Sequence, residues 1–324
     1  MGSTGSTGGT GGTGGLLPFD LPAGLLAFRD REPSWYAWLA GLPRLLRDVV
    51  EEWGLEYDGP PRHGYCALVV PVRTAGGRPA VLKLAWPDDE GEHEHLGLQV
   101  LQGNGMVRLY RADPRRQAML LERLHADETL AGVDDLEACE VVGRLYERIH
   151  VPAPPQLRPL TAYIERWTDD LAALPRDAPV PRRLIEQVVA LGKDFVGDAD
   201  STGTMIHGDL HYDNVLAGDR EPWLAIDPKP MSGDPHYEVA PMLWNRWDDV
   251  LASGDVRGTL RRRFHTVVDT AGLDERRARD WVVVREVHNA LWTINDARAS
   301  GRPLDAEDRE SITRAVTVAK AVQD

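Results

Sequence analysis

The sequence of 324 residues has only two cysteines, Cys66 and Cys139, and they form no Cys-x-x-Cys pair. Two thiols cannot build the disulfide framework of a secreted scaffold, so we expect a reducing compartment and a cytoplasmic location. Long apolar runs are also missing, because no stretch approaches the roughly 18 residues of a membrane-spanning helix. The N-terminal residues show no charged region followed by an apolar stretch, which argues against a secretory signal.

Positive charge is scarce relative to negative charge. The chain has 37 Lys and Arg against 51 Asp and Glu, for a net charge of −14. A nucleic-acid-binding protein needs a basic surface against the phosphates, so we expect no nucleic-acid partner. An acidic balance favours a cationic ligand or simply keeps the protein in solution, and both interpretations stay open.

The N-terminal part of the chain has the pattern of a small sheet with helices. Residues 1–15 are a Gly/Thr-rich tail that cannot form a core. A helix is predicted over 33–55 from its apolar spacing, and a helix over 88–102. Apolar runs predict two strands joined by the turn TAGG and two more joined by PRR, over residues 65–73, 79–86, 106–113 and 117–124.

Beyond residue 124 the pattern becomes mainly helical. Helices are predicted over 135–150, 181–199 and most of 255–324. The length alone suggests about two domains or lobes. We therefore expect an α+β protein with an antiparallel-sheet lobe over 16–124 and a larger helical lobe over 125–324.

Within the helical part lies a hairpin rich in acidic and amide side chains, MIHGDLHYDNVLAGDREPWLAIDPKP at residues 205–230. If its turn centres between Asp219 and Arg220, Asn214 lies opposite about Ala225. Asp227 then lies near the same open end of the hairpin, and the loop that carries Asp209 and His211 leads into that end.

This arrangement predicts chemistry. Amide and carboxylate oxygens such as those of Asn214 and Asp227 suit Mg²⁺, and Asp209 is placed to accept a proton from a hydroxyl. Together they describe a phosphoryl-transfer site. Two alternatives remain: the polar residues only form turns, or His207, Asp209 and His211 bind zinc or iron in a hydrolase.

Other signals for nucleotide binding come from the sheet. Lys83 is a cation inside the apolar run PAVLKLAW, and Glu94 lies on the helix that follows. A lysine on a strand and a glutamate on the next helix position ATP phosphates in kinases. Gly64 begins the first strand of the hairpin, where backbone amides can approach phosphate, and LLERL at 120–124 offers backbone groups for an adenine.

The motifs HGDLHYDN and WLAIDPKPMSGDPHYE resemble the aminoglycoside phosphotransferase family, which has a protein-kinase-like bilobal fold. The phrases GNGMVRLY, MLLERL, REPWLAIDP and HNALWTIND are most similar to its streptomycin 6-kinase and hydroxyurea phosphotransferase branch. The resemblance implies ATP and Mg²⁺ as cofactors, Asp209 as the catalytic base, and Asn214 and Asp227 as metal ligands.

The resemblance also implies nucleotide contacts. Lys83 would bind the α- and β-phosphates and be held by Glu94, and Glu122 to Leu124 would form the hinge. The nucleotide-positioning loop would consist of Gly64, Tyr65, Cys66 and Ala67. In place of the Phe-Gly that follows the metal Asp in protein kinases, this chain has Pro228-Lys229, which argues against activation-loop switching.

The resemblance implies a small-molecule acceptor, most of all a hydroxyl of a streptomycin-type antibiotic. We also expect a monomer. Guanidinium groups on such an acceptor call for carboxylates and a flat aromatic ring. The candidate acceptor-binding residues are Asp234, Glu238, Asp248, Asp249, Glu286, Asn289, Trp292 and Asp296. The alternatives are a kinase of hydroxyurea or another hydroxylated metabolite, and a nucleotide-binding pseudokinase without activity.

Overall fold

The structure is a computed structural model that describes residues 17–27 and 33–323. The predicted tail over 1–15 lies outside the described residues. The described residues form two compact units, the first made of 17–86 with 115–118 and the second of 87–114 with 119–323. The expected division of the chain into functional lobes at about residue 124 stays a prediction.

The first unit has two helices and four strands. In chain order they are α1 Ala23–Leu26, α2 Pro33–Trp53, β1 Leu55–Tyr57, β2 Arg62–His63, β3 Ala67–Thr74 and β4 Pro79–Ala85. Helix α2 confirms the helix predicted over 33–55, because apolar residues three or four apart form one buried stripe, including Leu39, Leu42 and Leu46.

The predicted hairpin between β3 and β4 is also confirmed. The two strands pair antiparallel from Ala67 opposite Ala85 to Arg73 opposite Pro79. The TAGG turn closes through a hydrogen bond of 2.8 Å from the Gly77 N–H to the Thr74 carbonyl. Gly77 has a φ of 76°, a left-handed conformation that glycine adopts without strain.

The second unit is mainly helical. Its helices are α3 Glu94–Leu101, α4 Asp135–Ile149, α5 Leu160–Ala172, α6 Arg182–Gly197, α7 Pro241–Trp244, α8 Trp247–Ala252, α9 Val256–Ala271, α10 Glu275–Ala299 and α11 Ala306–Ala321. Its strands are β5 Leu109–Asp113, β6 Ala118–Glu122, β7 His125–Thr129, β8 Val151–Pro152, β9 Thr204–Ile206, β10 Val215–Ala217, β11 Leu224–Ala225 and β12 Met231–Gly233.

Helix α3 is shorter than the helix predicted over 88–102. It begins at Glu94, because the preceding residues form turns in which the Asp88 carboxylate accepts a hydrogen bond of 2.5 Å from the Gly91 N–H. An aspartate that bonds to a nearby backbone N–H competes with helix formation. The acidic residues before Glu94 therefore belong to a loop.

Two small antiparallel sheets hold the polar hairpin. One has the strand order β11-β10-β7 and the other β12-β9-β8. Because β9 and β10 are consecutive strands in different sheets, residues 207–214 form the connection between them. The structure thus concentrates the polar residues of the motif in a loop whose two ends are fixed by strands.

The register of the hairpin differs by one residue from the predicted one. Val215, not Asn214, lies opposite Ala225, so the turn centres on Arg220. The Arg220 guanidinium donates to both oxygens of Glu122, at 3.1 and 2.9 Å, and to the carbonyl of Met106 at 2.9 Å. These long-range bonds fix the turn, and turn propensity alone could not reveal them.

Helix α10 runs through the core of the second unit and is buried on nearly every side. Trp281 is fully buried, and its ring stacks on Phe195 with 3.9 Å between ring centroids. A helix buried all round has few places for polar residues, yet α10 carries Arg285, Glu286 and His288 in its buried stretch. Among the described residues, no helix is long and apolar enough to cross a membrane.

Packing between α4 and α9 supplies a stability test. A Cβ atom added at Gly143 on α4 would lie 2.6 Å from the Cβ of Thr270 on α9. We expect Gly143→Ala to lower the free energy of unfolding by about 1–3 kcal/mol through overpacking. The control is Gly41→Ala on α2, where nothing lies within 4 Å and helix propensity should raise stability by about 0.5–1 kcal/mol. Equal effects of the two substitutions in denaturant titrations would contradict the packing described.

Candidate active site

The loop between β9 and β10 is held by a buried carboxylate. Glu238 is fully buried, and its two oxygens accept the backbone N–H groups of His207 at 2.8 Å and Gly208 at 2.6 Å. The Nε2 of His150 donates to the same carboxylate at 3.1 Å. Burial alone would raise the pKa of Glu238, but the hydrogen bond and charge of His150 and the backbone of His207 hold it below its usual range. The charged carboxylate therefore has partners for both oxygens.

Gly208 allows the loop to pass close to the segment between β11 and β12, which carries Asp227 and Lys229. Its φ is 86°, and a Cβ at this position would lie 2.5 Å from the carbonyl oxygen of Lys229. The Arg285 guanidinium donates to the Gly208 carbonyl at 2.6 Å and lies over the Tyr237 ring, 4.2 Å from its centroid. The backbone N–H and carbonyl of Gly208 are thus both held by side chains of the protein.

Both ring nitrogens of His207 form hydrogen bonds with backbone groups of the protein. Its Nε2 donates to the Ile226 carbonyl at 2.9 Å, and its Nδ1 accepts the Asp209 N–H at 3.2 Å. These two bonds define the neutral Nε2–H tautomer, which agrees with the lowering of the His207 pKa by burial.

The metal-hydrolase alternative is not supported. Neither nitrogen of His207 is available as a ligand, and the described residues contain no group of three or more His, Cys, Asp or Glu that could hold a metal. A zinc or iron site needs three or four such ligands. His207 instead orients the backbone of the loop that carries Asp209.

Asn214 and Asp227 are brought to the same end of the hairpin, as predicted. The Asn214 side-chain Nδ2 donates to the Asp209 carbonyl at 2.8 Å, and the Asn214 carbonyl accepts the Ile226 N–H at 2.9 Å. Asp227 is the next residue, and its φ of 55° is left-handed. A non-glycine residue in this conformation is strained and often marks a functional position.

Asp209 pairs with a lysine that follows Asp227 by two residues. The Lys229 Nζ lies 2.8 Å from Asp209 Oδ2, and the Asp209 side chain is 26% exposed. Burial alone would raise the pKa of Asp209, but the charges of Lys229 and His211 outweigh it and hold that pKa below its usual range. Asp209 is therefore a carboxylate at neutral pH, as a proton acceptor must be.

A buried network supports the turn that contains Asn214. The hydroxyl of Tyr212 donates to Asp135 Oδ1 at 2.7 Å, and the fully buried Arg263 donates to Asp135 Oδ2 at 2.7 Å. Arg263 and Arg246 also lie over the Tyr212 ring, 5.6 and 5.1 Å from its centroid. The N-terminus of α4 thereby fixes the residues immediately before Asn214.

In the first unit, the predicted nucleotide-positioning residues form the turn between β2 and β3. The Gly64 N–H donates to the Ala67 carbonyl at 2.9 Å, Tyr65 is 60% exposed, and the Cys66 carbonyl accepts the Trp86 N–H at 2.7 Å. Lys83 is buried on β4, opposite Val69. The nucleotide contacts of this turn and of Lys83 stay predictions.

In the second unit, Glu94 is the buried first residue of α3, and Leu124 is buried between β6 and β7. Glu122 ends β6 and holds the Arg220 guanidinium. The pairing of Glu94 with Lys83 and the hinge role of Glu122 to Leu124 stay predictions.

Three of the predicted acceptor-binding carboxylates are buried and have internal surroundings. Glu238 holds the loop, and Asp234 accepts from Arg277 and Trp281, each at 2.6 Å. Burial raises the pKa of the Glu286 carboxyl well above its usual range. Direct acceptor contacts of Asp234, Glu238 and Glu286 stay predictions.

The remaining acceptor candidates are accessible. Asn289 and Trp292 are half-buried on α10, and Asp296 is exposed near its end. The Trp292 ring packs edge-on against Trp167 of α5, with 4.7 Å between centroids. Asp248 and Asp249 lie in the first turn of α8, and Asp249 pairs with Arg246 at 2.6 Å. Their contacts with an acceptor stay predictions.

Sequence reasoning missed Lys229, Arg285 and His150 as parts of this site. Arg285 had a signal, because a charged residue inside the run VVVREVHNAL is as unusual as Lys83 in its strand. Lys229 had a weaker signal: only four of the 37 basic residues are lysines, so a lysine is an unusual choice in this chain. His150 had none, since its partner Glu238 lies 88 residues away.

The fold matches solved kinases. The structure superimposes on an aminoglycoside phosphotransferase solved as a ternary complex with ADP and hygromycin B, with a TM-score of 0.56 and 15% identity, covering 86% of this chain and 98% of that one. A choline kinase from Streptococcus pneumoniae gives a TM-score of 0.53 at 14% identity, covering 86% and 99%. The chain thus has the α+β bilobal protein-kinase-like fold that the resemblance implied.

Sequence comparison gives the family. Residues 52–297 match the family described as aminoglycoside/hydroxyurea antibiotic resistance kinase, and the chain belongs to it. It is 42% identical to a streptomycin 6-kinase of Streptomyces glaucescens over 89% of this chain and 91% of that protein. It is 39% identical to a hydroxyurea phosphotransferase of Kitasatospora aureofaciens over 81% of this chain and 76% of that protein. The protein is a phosphotransferase that uses ATP.

The role of Glu238 can be tested with an isosteric change. Glu238→Gln replaces one acceptor oxygen by an NH₂ group that faces backbone donors. We expect the free energy of unfolding to fall by about 1–3 kcal/mol, the cost of unsatisfied buried groups. Turnover should fall with it, because the loop that carries Asp209 loses its support. Glu310→Gln, at an exposed position of α11, is the control, and equal unfolding curves for the two variants would refute this role.

The left-handed conformation of Asp227 predicts a separation of stability from activity. We expect Asp227→Gly and Asp227→Ala both to lose turnover, while the glycine variant is more stable than the alanine variant by about 1 kcal/mol. The pair Gln102→Gly and Gln102→Ala is the control, because Gln102 has a φ of 49° at the end of α3. We expect the Gln102→Gly variant to be more stable than the Gln102→Ala variant by a similar amount, and both to keep their activity. Equal stabilities of the two Asp227 variants would contradict the strain.

Proposed function

We propose that the protein transfers the γ-phosphoryl group of ATP to a hydroxyl of a streptomycin-type aminoglycoside and thereby inactivates the antibiotic. The observation that carries the proposal is the Asp209 carboxylate, fixed through Lys229 and through a loop whose backbone Glu238 and Arg285 hold. Identities of 42% and 40% to streptomycin 6-kinases from two Streptomyces species support the choice of acceptor.

Mg²⁺ fits the residues at the open end of the hairpin. Because Asn214 Nδ2 donates to the Asp209 carbonyl, its Oδ1 is left as a possible ligand, and Asp227 supplies a carboxylate one residue beyond the cross-strand position. Two hard oxygen donors from the protein suit a Mg²⁺ ion that completes its coordination with phosphate and water. When bound, the ion would neutralise the charge of the β- and γ-phosphates.

The transfer step assigned to the protein is proton removal. Asp209 accepts the proton of the acceptor hydroxyl while the hydroxyl oxygen forms a bond to the γ-phosphorus. The bond between the γ-phosphorus and the β,γ-bridging oxygen breaks, and ADP leaves. Lys83, held by Glu94, is assigned to the α- and β-phosphates. Gly64 to Ala67 are assigned to phosphate positioning and Glu122 to Leu124 to the adenine.

For the acceptor, Asn289, Trp292 and Asp296 on α10 remain the assigned contacts. A half-buried tryptophan suits stacking on a flat guanidinium, and an exposed carboxylate suits pairing with it. Charge-neutralising substitutions at Asp296, such as Asp296→Asn, that leave the KM for the antibiotic unchanged would remove that residue from the assignment.

Hydroxyurea is the second candidate acceptor. The identity of 39% to a hydroxyurea phosphotransferase supports it. That match covers 76% of the relative, whereas each match to a streptomycin 6-kinase covers 91% of the relative. A pseudokinase is disfavoured because Lys83, Asp209, Asn214 and Asp227 are all present. A cytoplasmic location and a monomeric state complete the proposal.

The acceptor can be tested by incubating the protein with ATP and Mg²⁺ and with streptomycin, other aminoglycosides or hydroxyurea. Mass spectrometry then reports which compound gains one phosphoryl group. We expect streptomycin to gain it. A gain on hydroxyurea alone would replace the proposed acceptor, and ATP binding without a gain on any compound would refute the proposal.

The role of Asp209 is tested by Asp209→Ala. The variant should bind ATP as the wild type does but lose turnover, because the acceptor hydroxyl keeps its proton. ATP affinity measured by calorimetry and transfer measured by mass provide the two readouts. A transfer rate near that of the wild type would show that Asp209 is not the base.

A further inference from the structure

The pair formed by Asp209 and Lys229 uses only one oxygen of the carboxylate. Lys229 Nζ lies 2.8 Å from Asp209 Oδ2. Within the part of the chain that the structure describes, no hydrogen bond reaches Asp209 Oδ1. The carboxylate is thus held at one side and available at the other, as a base that must receive a proton requires.

The backbone of Lys229 is fixed by the same loop that carries Asp209. Its N–H donates to the His207 carbonyl at 2.8 Å, and its own carbonyl lies against Gly208, where a Cβ would approach to 2.5 Å. Pro228 and Pro230 flank it, and they restrict the backbone on both sides. The lysine therefore starts from a rigid position close to Asp209.

The choice of lysine fits one-sided contact. The chain has only four lysines among 37 basic residues, so an arginine would be the expected residue here. The planar guanidinium of arginine pairs with both oxygens of a carboxylate, whereas an ammonium is a point charge that can bond to one. An arginine at this position would compete with the acceptor for Oδ1.

A second carboxylate lies near the ammonium but at a longer distance. Glu90 Oε2, in the loop before α3, is 4.0 Å from Lys229 Nζ. Glu90 is largely exposed, whereas the Asp209 side chain is only 26% exposed. The shorter and more buried contact makes Asp209 the main partner of the lysine.

From these contacts we propose that Lys229 is a positioning residue for phosphoryl transfer. It holds Asp209 by Oδ2 so that Oδ1 receives the proton of the acceptor hydroxyl. In the same step the acceptor oxygen bonds to the γ-phosphorus and ADP leaves. This inference rests on the proposed role of Asp209 as the base and adds a residue that acts only through it.

The main test is a double-mutant cycle of Lys229→Met and Asp209→Asn, with transfer followed by mass over long incubations. Misplacing a catalytic group costs about 100-fold in rate, so we expect Lys229→Met to lower kcat by about that factor. The dissociation constant for ATP should change less than twofold. In the Asp209→Asn background, Lys229→Met should cause no further loss, because its only route of action is already removed.

Three controls make the cycle decisive. Lys193→Met removes an exposed lysine on α6 and should leave kcat unchanged. Lys229→Arg keeps the charge and should not restore turnover. Thermal unfolding of each variant verifies that it is folded, and Lys229→Gln replaces Lys229→Met if the latter is not.

Distinct results would overturn the inference. Wild-type kcat in Lys229→Met would remove the role altogether. If Lys229→Met lowers kcat by the same factor in the Asp209→Asn background as in the wild type, the lysine acts directly on phosphate. If Lys229→Arg has the kcat of the wild type, the one-oxygen geometry is refuted. The proposed function fails separately, if the wild type transfers no phosphoryl group or if Asp209→Ala remains active.

Discussion

The buried carboxylate of Glu238 is the interaction on which the candidate site depends. An ionised group in a protein interior needs partners for both oxygens, and here the partners are the backbone N–H groups of His207 and Gly208 together with His150. Three distant segments, at the end of α4, after β9 and before α7, must therefore meet for the charge to be tolerated. The local conformation of the loop that carries Asp209 is thus a condition of folding and does not wait for a substrate.

Two positively charged side chains contact that loop through hydrogen bonds. Lys229 lies against Asp209, and Arg285 lies against the Gly208 carbonyl. Phosphoryl transfer requires little covalent chemistry from the protein and depends on positioning and on charge neutralisation. Lys229 and Arg285 are positive groups held near the partly buried carboxylate of Asp209, and they meet that need. The strain at Asp227 is consistent with it, because backbone strain persists where function requires the geometry.

Much of the fold could be predicted from sequence because the relevant signals are local. The apolar stripe of α2 and the TAGG turn of the β3–β4 hairpin act within a few residues. Where distant residues decide, prediction failed: the hairpin register moved by one residue because Arg220 is bound to Glu122, 98 residues away along the chain. The burial of Asp234 and Glu286 could not be predicted for the same reason, since nothing local distinguishes them from exposed carboxylates. The grouping of Asp209, Asn214 and Asp227 could be predicted because they lie within 19 residues of one another along the chain, whereas their roles stay predictions.

Glu238 fixes the conformation of the loop, and native-state hydrogen exchange provides the test. The exchange rates of the His207 and Gly208 amides would be measured by NMR in the protein without ligands. We expect protection comparable to that of buried amides in α10, and its loss in Glu238→Gln at the same temperature. Exchange as fast as that of the loop at Gly254, before any ligand is added, would contradict a preformed site and would mean that the substrate orders the loop.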